Sequence, residues 1–152
     1  MGDIMDTNSM INMLYSKDNS KAYNELKKLE ELSINSNELY SYIDEFIKMV
    51  HNEKCVIRVR GFRLFCKQAK WDKTNIINKN IEDVLVILND DKPTAVRQAL
   101  AALKDVVIYK KELRDIIKEK VLKIDYLRYN ESMHSLIFKD MENLISLIDK
   151  EK

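Results

Sequence analysis

The sequence predicts an all-α fold, an α-solenoid-like superhelix of about four helix pairs forming a single domain over residues 1–152. Three observations carry this expectation. Only two Gly and one Pro occur and 34% of residues are charged, which suits helices with short connections and disfavours a β-rich fold. Apolar residues recur at helical spacing through most of the chain. The stretch Leu88–Tyr109 reads as a helix end, a tight turn and a second helix, and its pattern returns when the chain is slid along itself.

Within that stretch Asp90 and Asp91 end the first helix, and Pro93 suits the first turn of the next. Val96, Ala99 and Leu103 fall on one face. Ala99, Ala101 and Ala102 carry little side chain, so a neighbouring helix can approach closely. A shift of 37 residues back places Val96 on Val59, Arg97 on Arg60, Ala99 on Phe62 and Lys104 on Lys67. The same shift places Val84 on Ile47 and Ile87 on Val50. A shift of 37 forward gives Met133, His134 and Leu136, with Val121 and Ile124 ahead of them. A step of 36 back from Val59 gives Tyr23, Asn24 and Leu26, preceded by Ile11 and Leu14. Apolar slots persist while identities do not. A two-helix period of this size is what repeat solenoids show, although any bundle of amphipathic helices also offers chance registers.

In chain order, residues 1–7 read as a loose end. Ser9–Ser16 forms a short helix around Ile11 and Leu14, and Lys17–Ser20 a capped turn. Lys21–Leu32 places Tyr23, Leu26 and Leu29 inward. Glu38–His51 aligns Leu39, Ile43, Ile47 and Val50; Cys55–Lys70 follows as its partner, closed by Trp71–Thr74. Ile77, Ile81, Val84 and Leu88 mark the helix before the Pro93–Tyr109 helix. Leu113, Ile117, Val121 and Ile124 define the next. A longer loop through Tyr126 and Tyr129 leads to Asn130 as N-cap of a last helix that buries Met133, Leu136, Leu144 and Ile148.

Composition bounds the function classes. The net charge of +1 gives no global field toward nucleic acid or membrane, and no run of about 18 apolar residues is present to span a bilayer. The N-terminal MGDIMDTNSM lacks the basic region of a secretory signal. Cys55 and Cys66, eleven apart on one predicted helix, are too distant to bond, roughly 16 Å at 1.5 Å per residue. Reduced thiols and a cytoplasmic location are expected.

The residues RGFRLFCKQAKWD (60–72), NDDKPTAVRQAL (89–100), YKKELRDII (109–117) and YNESMHSLIFKD (129–140) resemble small bacterial HEAT-like repeat proteins. The resemblance covers more than half the chain and implies a right-handed stack of helix pairs. Some members carry an iron–sulphur assembly label, for which this chain offers no residues.

The sharpest charge feature lies between Lys54 and Lys73, where seven basic residues face one acidic residue, Asp72. At 100° per residue, Arg60, Arg63, Lys67 and Lys70 fall within an arc of about 80°. On a concave surface lined by second helices this row, with Trp71, would form a basic groove for an anionic partner. The opposing reading is a solvated face balanced by acids elsewhere. Positions 63 and 70 depart from the apolar pattern of their equivalents, Leu100 and Val107, so their charges are not expected to be needed for folding. Asp91 and Arg97 are assigned a structural role, an Asp–Arg contact of the HEAT type. Trp71-Asp72 also invites comparison with HEAT-like DNA glycosylases, which need an Asp against a flipped nucleotide; the chain is short and nearly neutral for that role. His51 and His134 lack metal-ligand spacing, Cys66 sits among Phe62 and Ala69 on the apolar side, and no motif calls for a cofactor. The expected function is a non-catalytic scaffold for a protein or peptide, with a nucleic-acid-binding or glycosylase-like module as the alternative.

Overall fold

A computed structural model describes residues 6–150, which are helical throughout with no strand. Eight α-helices form four pairs: α1 (Thr7–Asn12) with α2 (Asn19–Asn35), α3 (Ile43–Val50) with α4 (Cys55–Lys67), α5 (Ile76–Val84) with α6 (Pro93–Tyr109), and α7 (Arg114–Leu122) with α8 (Glu131–Lys150). Tighter 3-10 turns extend several of them, notably Gln68–Trp71 after α4 and Leu85–Asn89 after α5. The even-numbered helices pack in chain order, α2 on α4, α4 on α6 and α6 on α8; α1, α3 and α7 back their own partners, and α6 is backed by the 3-10 turn Leu85–Asn89 that continues α5. No helix is long and apolar enough to cross a membrane among the described residues.

The anchor helix α6 begins at Pro93, whose missing N–H falls where no intrahelical partner exists. α1 starts earlier than expected, because the Asp6 carboxylate accepts a 2.7 Å bond from the Ser9 N–H and caps the helix at Thr7. Residues 1–5 of the expected loose end lie outside the described residues. Asp18 caps α2 in the same way, through Lys21 N–H at 3.1 Å.

Burial shows which positions correspond between the even-numbered helices. α6 buries Val96, Ala99, Leu100, Leu103 and Val107. Thirty-seven residues earlier stand Val59, Phe62 and Cys66, buried, with Arg63 half-buried and Lys70 exposed; a further 37 earlier stand Ala22, Glu25, Leu26, Leu29 and Ser33, and these five are buried. The first step is therefore 37 and not 36, and Ala22 takes the inward slot assigned to Tyr23, which is 50% exposed. The last step is 41: Val96, Leu100, Leu103 and Val107 correspond to buried Ile137, Met141, Leu144 and Ile148. Met133 is only half-buried and Leu136 is exposed, contrary to the 37-residue forward register. The four extra residues (41 − 37 = 4) fall in the long connection that carries the 3-10 turn Tyr126–Arg128.

α3 and α4 form the tightest pair contact. A Cβ on Gly61 would stand 2.4 Å from Met49 Cβ and 2.8 Å from the Phe46 carbonyl oxygen, so only glycine permits this approach. That use leaves no glycine to close a helix end among the described residues, and only Asn75 has positive φ. The carbonyls at helix C-termini find cationic or ring N–H donors instead, which also suit the negative end of the helix dipole. Arg58 donates to Asn52 and Glu53, Arg128 to Asn89, Lys110 to Asp72 and Arg114 to Val107.

Candidate binding surface

The outer faces of α2, α4 and α6 border a groove of about 570 Å³. α2 contributes Lys27, Glu30, Glu31 and Ile34, α4 contributes Arg63 and Lys67, and α6 contributes Gln98, Ala101, Ala102 and Asp105. Two smaller recesses continue it toward α8 past Arg97, Lys104 and Asp140, and Ala101 borders all three. Of Ala99, Ala101 and Ala102, expected together to receive a neighbouring helix, Ala99 is buried, Ala102 is half-buried against the core and Ala101 is exposed.

The basic row divides in two. Arg63 and Lys67 lie in the groove; Arg60, Lys70 and Trp71 are engaged with the ends of the first pair. Arg60 is buried at 5% exposure, donating to the Leu14 carbonyl at 2.8 Å and to Asn19 Oδ1 at 3.1 Å. Burial pulls its pKa down from the ordinary value. Lys70 donates to the Ile34 carbonyl and lies 5.0 Å over the Trp71 ring, and Trp71 Nε1 donates to the Ser33 carbonyl at 2.7 Å. These three side chains of the second pair close the C-terminal ends of the first, where main-chain oxygens lack partners.

Arg63 is held by a fork on Glu30, with Nη2 at 2.7 Å and Nε at 2.9 Å, and its remaining Nη1 donates to Gln98 at 3.0 Å. Only 18% of the Arg63 side chain and 13% of Glu30 remain exposed. Lys67 pairs with Asp105 at 3.3 Å, and Arg97 with Asp140 at 2.6 Å. The row therefore links adjacent helices, α4 to α2, α4 to α6 and α6 to α8. The Asp91–Arg97 contact expected from sequence is not formed: Asp91 pairs with Arg128 at 2.8 Å. An Asp–Arg contact between the second and third pairs is made instead by Asp90, which takes a two-point bond from Arg58 at 2.8 and 3.1 Å. Burial opposes ionisation of Asp90, but Arg58 and the Lys92 N–H more than offset it and hold its carboxyl below the usual range.

Asp72 is likewise committed. Its buried carboxylate accepts from Tyr40 Oη at 2.5 Å, from the N–H groups of Ile76 and Ile77 at 3.0 and 2.9 Å, and pairs with Lys110 at 3.0 Å. Sequence reading placed Asp72 beside a functional tryptophan; the structure makes it the cap of α5 and the tie between the second pair and Lys110. No signal local to Trp71-Asp72 announces Lys110, 38 residues away. His51 pairs with Asp83 at 2.8 Å, and no group of three metal-ligating side chains occurs among the described residues.

Fold and surface together define an all-helical protein of four packed pairs with one grooved face. Compared with protein-family models, curated proteins and solved structures, the chain matches none.

Proposed function

We propose that this chain is a HEAT-like repeat protein, a right-handed superhelix of helix pairs, and that it serves as a non-catalytic cytoplasmic scaffold binding a protein or peptide along the face of its even-numbered helices. The observation that carries the reading is the groove over α4 with two smaller recesses beside it, all bordered by Ala101 on the exposed side of α6. A groove between helices, floored by small side chains and rimmed by polar ones, is the usual form of a site for a helical or extended segment. The nucleic-acid and glycosylase alternative draws less support. Arg63, Lys67 and Arg97 already hold carboxylates, Arg60 is buried, and both oxygens of Asp72 are occupied. None of these cations stands free for a phosphate backbone.

The test is photo-crosslinking in native lysate with the photoreactive residue at position 101, compared with position 86, which is exposed on the odd-numbered layer. A protein captured through 101 and not through 86 is the expected result. Capture of nucleic acid through 101, or of protein through 86 only, overturns the reading.

A further inference from the structure

We infer that the first helix pair is a movable wall of the groove: α1 and α2 open from the second pair as one unit while the other three pairs stay packed, whatever the groove binds.

The two ends of the even-numbered layer are closed differently. Among the described residues, α6 and α8 bury no polar or charged side chain, and the buried positions of α8 are Ile137, Met141, Leu144 and Ile148. By contrast, α2 buries Glu25 and Ser33, and α4 with its 3-10 extension buries Arg60 and Gln68. Three of these four meet across the seam between the first and second pairs. Gln68 Nε2 donates to Ser33 Oγ at 3.1 Å, and Arg60 donates to the Leu14 carbonyl and to Asn19. Around them lie the Tyr15–Glu45 bond, the fork of Arg63 on Glu30, and the bonds of Lys70 and Trp71 to the carbonyls of Ile34 and Ser33. The first seam is therefore polar, whereas α8 brings an apolar stripe to α6.

That difference decides which end opens. Water replaces the hydrogen bonds that an opened polar seam gives up, so such bonds add little net stability; an opened apolar seam exposes surface that water disfavours. Two groups favour opening outright. Gln68 Oε1 and Glu25 Oε2 are buried and meet no donor among the described residues, and water supplies one once α2 moves away. Arg63 keeps its bond to Gln98 of α6 when Glu30 leaves. α1, six residues long, is too short to persist alone and goes with α2. Helix pairs stacked in a row meet their neighbours, so an end pair can leave without disturbing the rest. Lys27, Glu30, Glu31 and Ile34 of the groove all belong to α2, so its departure leaves the groove open on that side.

Native-state hydrogen exchange on the full chain, read by NMR at increasing low urea, tests the inference. We expect the Leu26 and Leu29 amides of α2 to be protected at least about tenfold less than those of Leu103 in α6 and Leu144 in α8. They should also respond less steeply to urea, since a partial opening exposes less surface. Trp71→Phe removes one bond of the seam. It should speed exchange in α2 by about fivefold or more and leave α6 and α8 unchanged. Protection of α2 equal to that of α6 overturns the inference. So does a Trp71→Phe variant that speeds α2 and α8 alike, which would make the chain one cooperative unit. A variant that leaves α2 unchanged overturns it too, because opening then does not run along this seam.

Discussion

Arg63 sits between two helices that it ties together, and that position sets what its reversal costs. Arg63→Glu would face Glu30 with a second carboxylate in a site where both side chains are largely covered. Breaking a covered, hydrogen-bonded pair costs about 3 kcal/mol, and for a chain of this size 1 kcal/mol moves the melting temperature by roughly 2–4 °C. The expected result is a melting temperature lowered by roughly 6–12 °C, restored in large part by Glu30→Arg in the double variant; differential scanning calorimetry checks both. Asp72 supplies the pH counterpart. Burial raises its pKa, but the Tyr40 hydroxyl, the N–H groups of Ile77 and Ile76, and Lys110 more than offset this and hold it below the ordinary value. A depressed carboxyl stabilises the fold above the unfolded pKa, near 4, and the stabilisation is lost as pH falls through the folded value. Wild type should therefore lose stability steeply below about pH 4, and Asp72→Asn, weaker at pH 7, should show a shallower acid limb in urea titrations. Neither role was legible locally. Arg63 reads as a basic residue on a helix face because Glu30 is 33 positions away, and Asp72 meets Lys110 only once two pairs are packed.

Elements are set by apolar spacing and by how their ends are closed. The spacing was legible: Ile77, Ile81, Val84 and Leu88, and likewise Leu113, Ile117, Val121 and Ile124, are all buried as their periodicity requires. α6 starts and stops where Pro93 and the end of the apolar pattern put it. The ends were less legible, because a helix finished by an arginine from another pair leaves no Gly signature beside it. That is why Arg60, Lys70 and Trp71 read from sequence as a recognition row. The last helix went out of register for a related reason: the turn Tyr126–Arg128 inserts residues that a fixed shift cannot anticipate. At α4 the test is Gly61→Ala. Helix propensity alone would favour alanine by about 1 kcal/mol, yet a Cβ there meets Met49 and the Phe46 carbonyl, and overpacking costs typically 1–3 kcal/mol. The contact with Phe46 is to backbone, which cannot swing aside. We expect net destabilisation in chemical denaturation, and no recovery on adding Met49→Ala, because alanine keeps the Cβ that stands closest. A more stable single variant would mean that α3 and α4 separate freely.

For the whole molecule the question is which side of the even-numbered layer is closed. Ala99 and Ala101 are two residues apart on α6 and face opposite ways: Ala99 is 1% exposed against the packed pairs, and Ala101 borders the groove. The sequence grouped them as small residues awaiting a neighbour, since alanine looks alike on a packed and on an open face. The same substitution separates them. Glutamate at 99 would be an uncompensated charge among Val96, Leu100 and Leu103, a change in the class that costs 3–5 kcal/mol, or roughly 6–20 °C in melting temperature for a chain of this length. Glutamate at 101 would be solvated, and surface changes usually stay within about 0.5 kcal/mol. We therefore expect Ala99→Glu to unfold well below wild type and Ala101→Glu to melt within about 2 °C of it. Thermal denaturation followed by circular dichroism measures both. Equal, large losses would mean that α6 is enclosed on all sides and that the groove is filled by this chain itself. Equal, small losses would mean that α6 is not packed against α4 and α8 at all. Only the unequal outcome leaves α6 with one face that holds the pairs together and another that is free for a partner.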